Sequence, residues 1–283
     1  MKRSQFGGGF QAVAGERSMA TNTTILGVVS VSDVADALAE KTRPENAASW
    51  DPVGLQLGDP RATVESVAVC HEVTEEVLGR VESEPVDLLV TYHPLLFAPV
   101  NRLTAGRSPE ARAFRLFQKG VSLLVTHTDF DLAPGGTADA LASVFKLLKV
   151  EPFGADEERG LPAIGRVGQF DGTLAVLDAM ASDAFGANGL RITGDRSRHL
   201  RQVAVVPGSG SDFIDQAASV ADALVTGDVS HHRAVRASDL GLAVVDPGHV
   251  ATERPGMAAL VGMVDEIAAV THDLTGIDPT TWS

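Results

Sequence analysis

The chain is poor in cysteine and in large aromatic residues. Of its 283 residues, one is cysteine, one is tyrosine and two are tryptophan. With Cys70 alone, neither an intramolecular disulfide nor a thiolate zinc cluster within one chain is possible. A bound metal would therefore depend on histidine and carboxylate ligands. We expect Cys70, which lies in an apolar run, to be inert.

The chain also has little positive charge and no long apolar run. Acidic residues outnumber basic ones by 37 to 23, for a formal net charge of −14. Such a field repels phosphate backbones, which argues against nucleic acid as a partner. No stretch approaches the roughly 18 uninterrupted apolar residues of a membrane helix, and the first residues lack the apolar segment of a signal peptide. The sequence predicts a cytoplasmic protein without a membrane partner.

Short apolar runs alternate with helical stretches from Ser32 onward. The first stretch, SDVADALAEKT, has helical spacing and is ended by Arg43-Pro44. This alternation predicts an α/β fold with mostly parallel sheets. The runs of strand length are Val67–Cys70, Val86–Thr91, Val121–Thr126, Val203–Val206, residues 221–226 and Leu242–Val245.

The second half of the chain repeats part of the first. The run VAVV at residues 203–206 echoes VAVC at residues 67–70, and ADALVT then follows at nearly the same offset as VDLLVT. Two matches in one order predict two related α/β halves. We expect a flexible N-terminal tail over residues 1–24, a first half over residues 25–164 and a second half over residues 165–283.

Histidines and carboxylates gather in the loops after the predicted strands, where ligands bind in parallel α/β sheets. His93 follows VDLLVT, and Asp131 follows VSLLVT. His249 and Glu253 follow LAVVD four residues apart, so a helix beginning just before them would point both side chains the same way. Imidazole and carboxylate are ligands that divalent metals accept. The set predicts a site for one or two metal ions.

Each of these residues also has a purely structural interpretation. Glu253 is favoured in the first turn of a helix by the helix dipole, and His249 is suited to cap that turn. His93 fits a core imidazole that has a hydrogen-bond partner, and Asp131 fits a helix N-cap ahead of the Gly-Gly turn. The concentration of all four in three strand-end loops favours the metal interpretation.

Two further loops leave alternatives open. Residues 207–211, PGSGS, follow a strand and precede a helical pattern, which suits either a phosphate cradle or a tight strand-to-helix turn. In the loop that starts at Trp50, Asp51 either reaches the metal cavity or belongs to a packed turn with Trp50 as its anchor.

Five motifs together resemble the signatures of the Nif-three-like family, whose members are commonly named GTP cyclohydrolase 1 type 2 homologues. The resemblance runs from about residue 30 to the end of the chain. It implies a two-domain α/β fold, a dinuclear metal centre between the domains and a homohexameric ring that encloses a cavity. The motifs are WDPVGLQLG from Trp50, HPLLF from His93, HTDFD from His127 with Gly135-Gly136, GDVSHH from Gly227 and GHVATE from Gly248.

Carried over residue by residue, the resemblance implies His93, Asp131, His249 and Glu253 as metal ligands. One position departs from the family pattern, which usually has two adjacent histidines where this chain has Tyr92 and His93. A phenol with a pKa of about 10 is a poor ligand at neutral pH unless a metal lowers that pKa. Phenolate ligation, a water in the vacant position and occupancy by one metal alone are the three arrangements left open.

Three more histidines are candidates for the site. His231 and His232 either line the metal cavity, close to metal or substrate, or begin the helix HHRAVRASDLG. We expect His127 to line the site. His127 and Glu253 are the candidate catalytic residues, with one of them acting as general base.

The residues and the resemblance together predict a divalent-metal-dependent hydrolase acting on a small nucleotide-like or heterocyclic substrate. The expected cofactor is zinc, iron or manganese, with one or two ions per chain. The alternative is a non-catalytic metal-binding assembly or regulatory protein that stores, delivers or senses metal. A third and weaker interpretation is a nucleotide-binding regulator that uses the loop at Gly208 and Gly210.

Overall fold

The computed structural model describes residues 29–277, and the tail predicted over residues 1–24 lies outside them. The strands are β1 (Val29–Ser30), β2 (Gly54–Leu57), β3 (Thr63–Val64), β4 (Val67–Cys70), β5 (Leu88–Thr91), β6 (Ser122–Val125), β7 (Leu148–Phe153), β8 (Gly165–Thr173), β9 (Arg191–Thr193), β10 (His199–Val205), β11 (Ala223–Val225), β12 (Ala243–Asp246) and β13 (Thr271–Asp273). The helices are α1 (Val31–Thr42), α2 (Glu75–Ser83), α3 (Pro109–Lys119), α4 (Thr128–Leu132), α5 (Thr137–Val144), α6 (Leu174–Phe185), α7 (Ile214–Val220), α8 (His231–Asp239) and α9 (His249–Asp265), with short 3-10 turns at Pro44–Asn46 and Ser211–Phe213.

Two sheets form the frame of the molecule. One has the order β13-β4-β5-β6-β2, and the other has the order β7-β8-β10-β11-β12-β9. Strands β13, β4, β5 and β6 run parallel, as do β10, β11 and β12, whereas β2, β7, β8 and β9 pair antiparallel. The α/β class is confirmed, but parallel pairing covers less of the second sheet than predicted. Between β7 and β8 lies no crossover helix, so those strands pair antiparallel.

The central strands are apolar because helices cover both faces of the sheets. Every residue of β4, β5, β6, β11 and β12 is buried, as expected for parallel strands between helical layers. Burial raises the pKa of the Cys70 thiol to about 12, which keeps it protonated and unreactive. Among residues 29–277, no helix combines the length and the hydropathy needed to cross a bilayer.

The two sheets share one anchoring device. Asp87, just before β5, accepts hydrogen bonds of 2.9 and 3.0 Å from two backbone amides that precede β4. Asp222, just before β11, accepts hydrogen bonds of 2.8 and 3.1 Å from two backbone amides of β10. The sequence repeat containing these residues thus has a counterpart in the hydrogen bonding. The relatedness of the two halves stays a prediction.

Each sheet contains a strand from the other side of the predicted boundary between residues 164 and 165. Strand β7 lies before that boundary yet pairs with β8 in the second sheet. Strand β13 lies near the end of the chain yet pairs with β4, with Thr271 opposite Val67. The reason is α9, whose buried Met257, Leu260 and Val264 join the core of the first sheet and carry the chain back to it. The sheets therefore do not follow the assignment of residues 165–283 to one half.

Candidate metal centre

A buried carboxylate near the start of α9 lies at the centre of the site. Glu253 is 2% exposed. Its Oε2 atom lies 2.7 Å from Nε2 of His71 and 3.2 Å from Nε2 of His93, and its Oε1 atom lies 3.0 Å from Nε2 of His249. We refer to these four residues as the Glu253 cluster. Three imidazoles from separate parts of the chain thus surround one carboxylate.

The imidazoles keep this carboxylate ionised. Burial opposes the charge on Glu253, but the hydrogen bonds from His249, His71 and His93 outweigh burial and hold its pKa well below the usual range. Burial lowers the pKa of His93, against the pull of Glu253, so its imidazole is neutral at neutral pH. A buried anion beside a neutral imidazole is a combination that suits a divalent cation.

The pairing of β4 with β5 brings His71 and His93 together. Beyond the strands, the amide of Tyr92 donates to the carbonyl of Cys70 at 3.0 Å, and the amide of His93 donates to the carbonyl of His71 at 2.9 Å. The two imidazole rings lie 4.6 Å apart. His71 was not among the ligands predicted from the sequence. The signal for it was present, because His71 directly follows an apolar strand at the same edge of the sheet.

Three members of the cluster fit one metal ion. The ligand atoms of His71, His93 and Glu253 all lie within 4.8 Å of one another. Bonds of about 2.0–2.2 Å to a tetrahedral zinc ion would separate such atoms by about 3–3.6 Å, so small shifts would suffice. The Nδ1 atom of His71 is buried without a hydrogen-bond partner. The contact of Nε2 with Glu253 is therefore the hydrogen bond that orients the ring of His71.

The loop after β10 leaves space for the cluster. Gly208 has a φ of +65°, and a Cβ atom there would lie 2.5 Å from Oε1 of Glu253 and 3.2 Å from Nε2 of His249. Its amide donates to Oγ1 of Thr252 at 2.9 Å. The loop leads into the 3-10 turn at Ser211–Phe213 and then α7, which confirms the tight strand-to-helix turn. Only a glycine backbone can pass this close to Glu253.

His249 stands between two carboxylates. Its Nε2 atom faces Glu253, and its Nδ1 atom lies 2.7 Å from Oδ2 of Asp228, in the loop after β11. Burial opposes protonation, but the hydrogen bonds and charges of Glu253 and Asp228 raise the pKa of His249 to about 9. The metal-free protein thus carries a proton on His249 at neutral pH.

Asp131 has different neighbours from the other predicted ligands. The hydroxyl of Tyr92 donates to its Oδ1 atom at 2.7 Å, and the hydroxyl of Thr137 donates to the same atom. Burial raises the pKa of Asp131 to about 7, against the effect of these hydrogen bonds. Asp131 lies within α4 rather than at its N-cap, which is His127. The structure thus brings together His93, His249 and Glu253, while Asp131 is held by Tyr92.

Tyr92 is a phenol in the metal-free protein. Burial, and then the negative charges of Asp131 and Glu253, raise its pKa well above the usual value of 10. Its ring lies 4.8 Å from that of His93 and 5.3 Å from that of His127. Tyr92 is therefore part of the wall of aromatic and imidazole rings around the cluster.

His127 forms a pair with a buried aspartate. Its Nδ1 atom lies 3.0 Å from Oδ2 of Asp51, which also accepts hydrogen bonds from the amide and the hydroxyl of Thr128. Burial lowers the pKa of His127, but Asp51 and nearby carboxylates more than offset this and raise it. Asp51 thus contacts His127, and the ring of His127 lies between Asp51 and the residues of the site. Trp50 is 45% exposed, and its ring packs against that of Phe97 with centroids 5.8 Å apart.

A cavity of about 1180 Å³ opens beside the cluster. His231 and His232 are not among its lining residues; both are exposed and begin α8, whose N-cap is Ser230. His127 is not among them either. The lining residues are His71, Glu72, His93, Ala184, Phe185, Gly186, Ala187, Asn188, Gly189, Arg191, Asp228, Asp246, Pro247, Gly248, His249, Val250, Ala251 and Arg254.

Comparison with known proteins matches this fold and sequence to one family. The family model for Duf34/NIF3 (NGG1p interacting factor 3) matches residues 29–277. The chain belongs to the Duf34/NIF3 family. It is 33% identical over 246 residues to a GTP cyclohydrolase 1 type 2 homolog of Streptomyces coelicolor, across 84% of this chain and 86% of that protein. The resemblance named from the motifs is thereby confirmed.

Other relatives of this Duf34/NIF3 chain extend the likeness over most of its length. A GTP cyclohydrolase 1 type 2 homolog of Clostridium perfringens is 27% identical, across 84% of this chain and 92% of that protein. A crystal structure of a Bacillus cereus protein related to NIF3 superposes with a TM-score of 0.79 at 20% identity and covers 90% of this chain and 99% of its own. That structure supports the fold alone.

Proposed function

We propose that this Duf34/NIF3 protein is a divalent-metal-dependent hydrolase acting on a small nucleotide-like or heterocyclic substrate. The observation that carries the proposal is the ionised, buried Glu253 with His71 and His93 on one of its oxygens. These two histidines line a large cavity. Glu253, His71 and His93 are the proposed ligands of a zinc, iron or manganese ion. Catalytic zinc sites commonly have three protein ligands and keep a fourth position open.

The residues of the chain hold and orient the reacting groups. A divalent ion bound there would supply a Lewis acid that polarises the bond under attack and makes water acidic near neutral pH. Glu253 supplies the negative charge, and His93 supplies a neutral imidazole. Asp228 fixes the ring of His249 through Nδ1, as carboxylates commonly fix imidazoles in metal sites.

His249 is the proposed proton carrier. It was predicted as a ligand, but its Nε2 atom faces the oxygen of Glu253 opposite the one shared by His71 and His93. It lines the cavity, and Asp228 holds its Nδ1 atom, which suits an imidazole that moves a proton to a leaving group. His127 and Glu253 were predicted as catalytic. His127 does not line the cavity, so its role as a base stays a prediction.

The cavity wall supports the proposed class of substrate. Arg191 and Arg254 line it, and guanidinium groups suit phosphate or carboxylate oxygens. Phe185 and Val250 give it an apolar surface suited to a flat ring. Its volume of about 1180 Å³ slightly exceeds the range of about 300–1,000 Å³ common for small-molecule sites. The homohexameric ring and the cytoplasmic location stay predictions, and mass measurement in solution tests the ring.

A substrate screen tests the proposal. Zinc-, iron- and manganese-loaded protein would be assayed with GTP, other nucleotides and simpler heterocycles, beside Glu253→Gln, which keeps the shape of the side chain but removes its charge. We expect hydrolysis of at least one substrate by the wild type and loss of both metal and hydrolysis in the variant. Loaded wild-type protein without any turnover would favour the alternative, a non-catalytic metal-binding assembly or regulatory protein.

A further inference from the structure

Two hydroxyl groups donate hydrogen bonds to one oxygen of the Asp131 carboxylate. Tyr92 donates to Oδ1 at 2.7 Å, and Thr137 donates to the same oxygen. Asp131 itself is 5% exposed and Tyr92 is 1% exposed, so water does not compete for these hydrogen bonds. A cation that binds through this oxygen would compete with two buried donors, and displacing either donor would leave it without an acceptor, which is costly.

The packing fixes both donors in place. Tyr92 follows β5, and its amide donates to the carbonyl of Cys70 at 3.0 Å, so the ring is positioned by the sheet. Thr137 begins α5 at a close crossing with α9, where a Cβ atom on Gly256 would lie 2.7 Å from Cα of Thr137. The sheet end and the helix crossing thus fix the backbone positions of both donor residues.

The other ligands that a second ion would need are not at hand. Within residues 29–277, the group of histidine, cysteine, aspartate and glutamate residues with ligand atoms in mutual reach of one metal is His71, His93 and Glu253. Asp131 is not a member. At the position where the family pattern usually has another histidine, Tyr92 offers a hydroxyl that is already used as a donor.

We infer that this chain holds one divalent ion, on His71, His93 and Glu253, because Tyr92 engages Oδ1 of Asp131 and supplies no imidazole for a second ion. His71 adds an imidazole to the site at Glu253. Tyr92 stands where the family pattern usually has a histidine, so the position beside Asp131 lacks that imidazole. The inference rests on the proposed metal binding and is independent of hydrolysis. Of the three arrangements that the sequence left open, it selects occupancy by one metal over phenolate ligation and over a water in the vacant position.

Zinc content per chain tests the inference. Wild type, Tyr92→His and Tyr92→Phe would be loaded with excess zinc, freed of unbound metal and analysed for zinc and protein. We expect one ion in the wild type and two in Tyr92→His, where an imidazole replaces the phenol and only the hydroxyl of Thr137 still donates to Asp131. Tyr92→Phe is the matched control, because it removes the same hydrogen bond without adding a ligand, and it should stay at one ion. Two ions in the wild type, or one ion in folded Tyr92→His, would overturn the inference.

A second measurement keeps the test decisive if the buried substitution prevents folding. X-ray absorption at the zinc edge of loaded wild-type protein should lack the metal–metal scattering at about 3.5–4 Å that a two-ion site gives. Such scattering would overturn the inference while leaving metal binding intact. A wild-type chain that retains no zinc, iron or manganese would overturn the proposed function and the inference together.

Discussion

His71 and Glu253 meet at 2.7 Å between Nε2 and Oε2, although 182 positions separate them in the chain. His71 directly follows β4, and Glu253 lies near the start of α9. The contact therefore joins the first parallel sheet to the helix that carries the chain back to it. If a metal ion binds at this contact, His71 is the ligand that the sequence motifs do not name.

We expect His71→Ala to weaken zinc binding by more than the 10- to 100-fold or so that is typical of outer-shell changes, because the substitution removes a ligand atom. Competition with a chelating dye would give the dissociation constants. His199→Ala is the matched control, because His199 is an exposed histidine that pairs with Asp171. Equal affinity in the two variants would contradict a ligand role for His71.

The effect of His249→Gln should differ from that of His71→Ala. Because His249 is proposed to carry a proton rather than to bind the ion, His249→Gln should keep one zinc per chain and lose most of the hydrolysis. Zinc content and turnover measured on the same samples would separate the two roles. Loss of zinc from His249→Gln would make His249 a ligand, as the sequence predicted.

The stability of the metal-free protein should depend on pH through His249. Its pKa is about 9 in the folded protein and about 6.5 in an unfolded chain. The folded state therefore binds the extra proton, and this contribution is full below about pH 6.5 and lost as the pH rises through about 9. Because the side chain is 33% exposed, we expect a loss of only about 1–2 kcal/mol.

Urea denaturation in the presence of a chelator, at several values between pH 6 and 10, would measure this loss. His249→Gln should flatten the decrease, because the glutamine side chain has no proton to release. An unchanged slope in the variant would show that another group binds the proton.

The space at Gly208 should matter for metal binding. Gly208→Ala and Gly120→Ala both place a side chain on a residue with positive φ, +65° and +81°. Each should cost about 1–2 kcal/mol of stability for that reason. Only the Cβ atom at residue 208 would press on Glu253, since nothing lies within 4 Å of one at residue 120.

Zinc affinity, measured on both folded variants, should therefore fall for Gly208→Ala and stay at the wild-type value for Gly120→Ala. Equal affinities would mean that Glu253 yields to the added methyl group and that the loop does not shape the site.

Asp51 should control the protonation of His127. Because its hydrogen bond and charge raise the pKa of His127 against burial, Asp51→Asn should lower that pKa. Titration of the imidazole Cε1 proton by NMR would measure the change. Asp228→Asn is the control, because Asp228 pairs with His249 instead, and it should leave the titration of His127 unchanged. A fall of similar size in both variants would point to a general charge effect.

Much of the frame could be predicted from local pattern. Apolar runs located the central strands, because parallel strands between helical layers are buried on both faces. The four-residue spacing of His249 and Glu253 suits one face of a helix, and α9 begins at His249 with Gly248 before it. Strand β13 had no such signal: THD is a short edge strand that pairs through its backbone with β4.

The site depends on pairings that sequence does not reveal. His71 joins it because β4 and β5 are neighbours and their end loops continue the pairing. Asp131 accepts two hydrogen bonds on one oxygen, because Thr137 from the next helix and Tyr92 from the end of another strand both donate to it. The spacing of residues within one segment of sequence predicts neither the position of His71 nor the hydrogen bonds of Asp131.

The most direct test of metal binding at the Glu253 cluster is a crystal structure of the protein grown with zinc, with an anomalous difference map at the zinc edge. We expect one peak per chain, within about 2.0–2.2 Å of Nε2 of His71, Nε2 of His93 and a carboxylate oxygen of Glu253. A peak bound to Asp131, or no peak at the Glu253 cluster under saturating zinc, would contradict the proposed site.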